Sequence, residues 1–141
     1  MNQFKAVKNT IRVLVLAGWM LVIFLLSAQT GEEVNTFLPW FQKLFPAMQD
    51  FNWGHFVTYF VLAAAFDFGI GARSERIVWK LVIIAACGLY GVTDEYHQSF
   101  VAGRSTDVQD IKHDLIGAFL WTVVIMLPPL LRIWRRIALR A

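Results

Sequence analysis

The stretch from Asp94 to Asp114 concentrates the groups that could do chemistry: five carboxylates, His97, His113 and Arg104. Carboxylates and imidazoles can hold a divalent cation or move protons, and a guanidinium can clamp phosphate oxygens. A helix continuing past Val92 would put Tyr90, Asp94, His97 and Gln98 on nearly one face, with 94 and 98 one turn apart. Gly103 then permits a sharp reversal, and Ser105 or Thr106 can cap the helix that follows. On that helix Asp107, Asp110, Asp114 and Gly117 form one stripe, Gly117 allowing a neighbouring helix to come close. Like charges at this spacing repel, so Arg104, a histidinium, protonation or a bound cation must offset them.

A second apolar run brings His55 to its outer end, with Tyr59 one turn deeper on the same face, where both can look towards Asp94. The expected binding set is therefore His55 and Tyr59 with Asp94, Glu95, His97, Gln98, Arg104, Asp107, Asp110 and Asp114. Within it His55, Asp94, Glu95 and Arg104 are the candidates for catalysis, and His55, Asp94, Glu95 and Asp110 the candidate ligands of a divalent cation, the one cofactor implied. A closed salt-bridge network around Arg104 that only holds the helices together accounts for the same residues, since no spacing here is as diagnostic as a paired-histidine zinc motif. Either way Arg104, just after Gly103, is expected to be the keystone, contacting at least one of Asp94, Glu95, Asp107 and Asp110. Asp67 lies away from this group and is expected to pair with Arg73 or Arg76.

The elements that must position these groups are apolar. Stretches Val13 to Leu26, Phe56 to Ile70, Ile77 to Val92 and Leu115 to Ile133, in a chain 57% hydrophobic and 16% charged, are too many to be interior in 141 residues of soluble domain. The expected fold is all-α: a single transmembrane domain over 1–141, an integral membrane bundle of four helices. Lys5, Lys8 and Arg12 precede the first span; Arg73, Arg76 and Lys80 join the second to the third; Arg132, Arg135, Arg136 and Arg140 follow the fourth. The positive-inside rule then puts both termini in the cytoplasm and the polar groups outside. The net charge of +3 reads as topology, with no basic, aromatic-interleaved stripe for nucleic acid. Phe37 to Met48, in the first outer connection, are spaced as a short interfacial helix of about two turns, Pro39 in its first turn and Pro46 interrupting it. Cleavage of the first span as a signal peptide after Ser27-Ala28 is disfavoured by Leu26, where a small residue is wanted. Cys87, the single cysteine, has no partner for a disulfide and sits as a small packing residue.

These residues resemble the VanZ-like family of small bacterial membrane proteins. The specific part is Asp94-Glu95-x-His97-Gln98 followed by Phe100-Val101-x-Gly103-Arg104, with Ser27-Ala28-Gln29, His55, Tyr59, Ser105, Asp110 and Gly117 in register. Two positions depart from the family pattern: Ala102 where it has proline, and Asp114 where it has asparagine, which adds a carboxylate. The resemblance implies a multi-pass protein of the bacterial cytoplasmic membrane, in a family named for a protein associated with resistance to the glycopeptide antibiotic teicoplanin. The expected partners are membrane lipid and a cell-envelope component, such as a lipid-linked precursor or an amphiphilic glycopeptide. A membrane enzyme acting on a phosphate or sugar-phosphate headgroup, and a small scaffold or accessory subunit, are the alternatives.

Overall fold

A computed structural model of the chain describes residues 2–44, 46 and 52–139. Its helices are α1 (Asn2–Ser27), α2 (Gly31–Leu44), α3 (Asn52–Ile70), α4 (Ile77–Gln98), α5 (Val108–Met126) and α6 (Pro128–Trp134). A tight 3-10 turn over Gly71–Glu75 joins α3 to α4, and a widened turn over Arg135–Leu139 follows α6. No strand occurs among the described residues.

Helices α1 and α4, and α3 with its following turn, are long and apolar enough to cross a membrane, and α5 with the segment through Ala138 makes a fourth span if the two are counted together. That pair is bent by 92°. The expected straight run to Ile133 therefore breaks at Leu127, whose extended ψ of 129° precedes Pro128. A proline ring disfavours helical backbone in the residue before it and brings no N–H of its own. The bundle is widely apolar on its outside: Val13, Leu14, Leu21, Leu25, Val57, Leu81, Leu89 and Phe119 are all exposed, the surface a lipid solvent accepts. Its interior is narrow, built on Ile23 of α1, Tyr59 and Leu62 of α3, Ile83 and Cys87 of α4, and Trp121 and Ile125 of α5.

Helix α3 packs most closely on α5, and the expected close approach at Gly117 is present: a side chain there would run into the backbone oxygen of Phe56. The connection between α1 and α3 departs from expectation. Helix α2 begins at Gly31, well before the predicted apolar run, and carries Pro39 in its interior. A reciprocal cap starts it early: Glu33 Oε2 accepts from the Thr30 N–H at 2.8 Å, while Thr30 Oγ1 accepts from the Glu33 N–H at 3.3 Å. Residues 47–51, on which the expected interruption after Pro46 falls, lie outside the described residues.

Candidate functional site

Three helix ends and one loop meet at one end of the bundle. Helix α3 enters with His55 and, one turn deeper, Tyr59; α4 ends with Asp94, Glu95, His97 and Gln98; α5 starts with Asp110, His113 and Asp114. The loop from Ser99 to Asp107 reverses at Gly103, whose φ of 72° is the left-handed conformation that favours glycine. Its Ala102 carbonyl accepts from the Gly31 N–H at 3.2 Å, tying the loop to the start of α2. Helix α5 is capped by Asp107, which accepts from Gln109 N at 2.8 Å, rather than by Ser105 or Thr106. The aspartate reaches the N–H two residues on and adds negative charge at the positive helix end.

Asp114 is fully buried, and its Oδ1 pairs with His55 Nδ1 at 2.9 Å. The other ring nitrogen, Nε2, lies 3.6 Å from Asp110 Oδ2. Asp94 Oδ2 accepts from the Tyr59 hydroxyl at 3.4 Å and from Gln98 Nε2 at 3.4 Å. Glu95 Oε2 accepts from the Asp107 N–H at 3.0 Å. Two buried acceptors, Glu95 Oε1 and Asp114 Oδ2, have no hydrogen-bond partner. One atom each from His55, Glu95 and Asp110 lie within 4.8 Å of one another.

Arg104 is not placed as expected. Its NH2 donates to Gln98 Oε1 at 2.9 Å, and no carboxylate pairs with it among the described residues. The carboxylates are committed elsewhere, Asp107 to the α5 cap and Asp94 to Tyr59 and Gln98, so the guanidinium reaches Asp94 only through the amide of Gln98. His97 also turns away, stacking on Phe24 of α1 with ring centroids 4.2 Å apart. Asp107 is exposed, while His55, Tyr59, Asp94, Glu95, Gln98, Asp110 and Asp114 come together.

Two neighbours were not predicted as site residues. Ser27, buried at the end of α1, lies 3.5 Å from Gln98 Nε2; a polar residue closing an apolar run was the available signal. His113 Nδ1 lies 3.4 Å from Asp110 Oδ1 and its ring packs on Phe56.

At the opposite end of the bundle Asp67 is fully buried but does not pair with Arg73 or Arg76. Its Oδ1 accepts from Ser74 Oγ and from Trp134 Nε1 at 3.3 Å, and its Oδ2 from Lys80 Nζ and from Trp121 Nε1 at 3.1 Å. Lys80, expected in the connection between the second and third spans, is thus buried, because the first turn of α4 points it inward at Asp67.

The VanZ/LLP1 family model matches residues 12–132, which include all the residues that meet at the His55 end and, at the Asp67 end, Asp67, Ser74, Lys80 and Trp121. No curated protein and no solved structure is detectably similar to the chain.

Proposed function

The chain belongs to the VanZ/LLP1 family, and from that premise we propose that the open polar end of its bundle binds the hydroxyl- or amine-bearing head of a cell-envelope component. A lipid-linked precursor and an amphiphilic glycopeptide such as teicoplanin are the candidate ligands. One observation carries the reading: Glu95 Oε1 and Asp114 Oδ2 are buried acceptors without donors. Leaving such atoms unpaired costs about 1–3 kcal/mol each and more for anions, which a donor-rich ligand would recover. The exposed apolar Phe37 and Trp40 of α2, next to the loop, suit an amphiphile whose tail stays in lipid.

Purified protein in detergent, titrated with a lipid-linked precursor or with teicoplanin, should bind at least one of them, and Glu95→Gln should weaken that binding about tenfold or more, the roughly 1.4 kcal/mol of one hydrogen bond to a charged group. Binding that ignores Glu95→Gln would refute the assignment of the site. A catalytic variant of the reading is favoured by the His55, Glu95 and Asp110 grouping, which could orient a phosphate. Release of phosphate from a lipid pyrophosphate by wild type but not by Asp110→Asn would select it.

The basic residues flanking the spans support the orientation with both termini in the cytoplasm and the polar end facing out, in the bacterial cytoplasmic membrane. A cysteine at the exposed Ser99 should react with an impermeant reagent on intact cells, and one at the exposed Ala72 should not; Cys87 is buried and stays silent. The reverse labelling would overturn the orientation.

A further inference from the structure

The geometry points to a single divalent-cation site of the Zn2+ or Mn2+ class, formed by His55, Glu95 and Asp110, with Asp114 behind the histidine. The inference rests on reading the polar end as a ligand site, and it adds an inorganic ligand to that reading.

The three side chains come from three separate elements, α3, α4 and α5, and one ligand atom of each lies within 4.8 Å of the others. Ligands at about 2.0–2.2 Å from a common ion stand somewhat closer than this, so small side-chain adjustments close the shell. Glu95 is 6% exposed, and with Oε2 engaged by the Asp107 N–H its Oε1 is the orphan. A buried carboxylate oxygen with neither donor nor cation is the second, independent sign that something positive belongs there.

The histidine supplies the directional part of the argument. When the imidazole donates its Nδ1 proton to Asp114 Oδ1 at 2.9 Å, the Nε2 lone pair faces Asp110 Oδ2 at 3.6 Å. Two acceptors then confront each other, and a cation between them turns the repulsion into coordination. A carboxylate fixing the tautomer of a metal-ligating histidine is the usual outer arrangement of such centres.

No lysine or arginine fills this role among the described residues: Arg104 bonds Gln98 and the exposed Lys112 bonds Gln109, while His113 Nδ1 lies 3.4 Å from the other oxygen of Asp110. Asp94 is turned to Tyr59 and Gln98 and is left out of the ligand set, against the sequence-based expectation that included it. One nitrogen and two oxygen donors favour a borderline ion over Mg2+ or Ca2+, which prefer all-oxygen shells. The side chains of His55 and Asp110 are 12% and 13% exposed, enough for water or a headgroup oxygen to complete the coordination.

The test uses chelator-stripped full-length protein in detergent and the metal alone. Calorimetry should find one Zn2+ or Mn2+ per chain, with X-ray absorption reporting nitrogen and oxygen donors that include one imidazole. His55→Gln and Glu95→Gln should abolish stoichiometric binding, Asp114→Asn should weaken it about 10- to 100-fold, and Asp94→Asn should leave a ligand shell intact. Helix content and thermal unfolding of the metal-free variants establish that each is folded. Failure of stripped wild type to bind one ion, or binding indifferent to both His55→Gln and Glu95→Gln, overturns the site. An imidazole that keeps both ring protons when the metal is added would also overturn the site and make His55 an imidazolium bridging Asp114 and Asp110 instead. Because no envelope component is present, loss of headgroup binding with metal binding intact removes only the proposed function, and the converse removes only the metal.

Discussion

The two ends of the bundle each bury aspartate, and they treat it in opposite ways. Around Asp67 both oxygens are doubly supplied, by Ser74 and Trp134 on one and Lys80 and Trp121 on the other, and the single negative charge meets a single positive one. The surrounding chain is tied in as well: Arg135 forks onto Glu75 at 2.9 and 2.6 Å, and Arg12 donates through NH2 to the Ala138 carbonyl at 2.9 Å, while its buried Nε lacks a hydrogen-bond partner. At the other end Asp94, Glu95, Asp110 and Asp114 share neutral donors and histidine, and two buried oxygens stay unmatched. Polarity in an apolar bundle therefore does not by itself mark a ligand site. The discriminating property is whether the buried carboxylate oxygens have been satisfied by the protein itself.

The sharpest way to break this contrast is to remove one charge from each end. Asp67→Asn strips Lys80 of its counter-charge and should cost roughly 3–5 kcal/mol, the effect of leaving a buried ion unpaired. Glu95→Gln removes a carboxylate whose Oε1 has no partner, and should be neutral or stabilising in the ligand-free protein. Thermal unfolding of both variants in one detergent measures the difference directly. Equal losses would mean that the two ends are both architecture and that the unmatched oxygens carry no functional meaning.

What could be read from the chain alone follows the same division. Local spacing was sufficient for the first three spans, for the stripe that brings Gly117 against Phe56, and for Tyr59 turning towards Asp94, because one-turn periodicity sets the face each side chain takes on its own helix. The donors of Asp67 were not legible: Lys80, Trp121 and Trp134 lie 13, 54 and 67 residues away, and only packing of four elements brings them to one carboxylate. Arg104 was misassigned for a related reason. Charge favoured a carboxylate partner, but Asp94, Glu95 and Asp107 already had backbone or side-chain donors that sequence could not assign. Two errors were avoidable. Thr30-Gly31-Glu32-Glu33 is a capping-box pattern that marks the true start of α2, and Pro128-Pro129 marks the break that apolarity counting ran across.

A smaller effect sharpens the role of Arg104. Had it paired with a buried carboxylate, Arg104→Ala would resemble Asp67→Asn. Bonded instead to the amide oxygen of Gln98 at 2.9 Å and only half-buried, it should cost about 1 kcal/mol, within the range of a single hydrogen bond. Gln98→Leu in the Arg104→Ala background should then add less than Gln98→Leu alone, since the shared bond can be lost only once. Strict additivity of the two in thermal unfolding would show that Arg104 acts elsewhere.

The smallest effect expected is a pH dependence confined to the open end. Glu33 accepts from both the N–H and the hydroxyl of Thr30, at 2.8 and 3.0 Å, and these bonds hold its carboxyl below the ordinary carboxylate range. A carboxyl whose folded-state value is depressed binds protons more readily when the helix start is undone. Its contribution is therefore fully present above the ordinary carboxylate range and is lost as pH falls through the lowered folded value. Glu33 is exposed, so the loss is local fraying of the first turn of α2 and leaves the bundle folded. Fraying should spread to the reversal loop, because Gly31 N–H is the donor to Ala102, and should not reach the Asp67 end. Hydrogen exchange on acidification, taken as the difference between wild type and Glu33→Gln to cancel intrinsic rates and other carboxylates, should show wild type losing protection at 31–34 and 101–104 while 71–80 match. If protection at 71–80 falls with that at 31–34, the two ends are coupled through the bundle and cannot be treated as an independent lock and mouth.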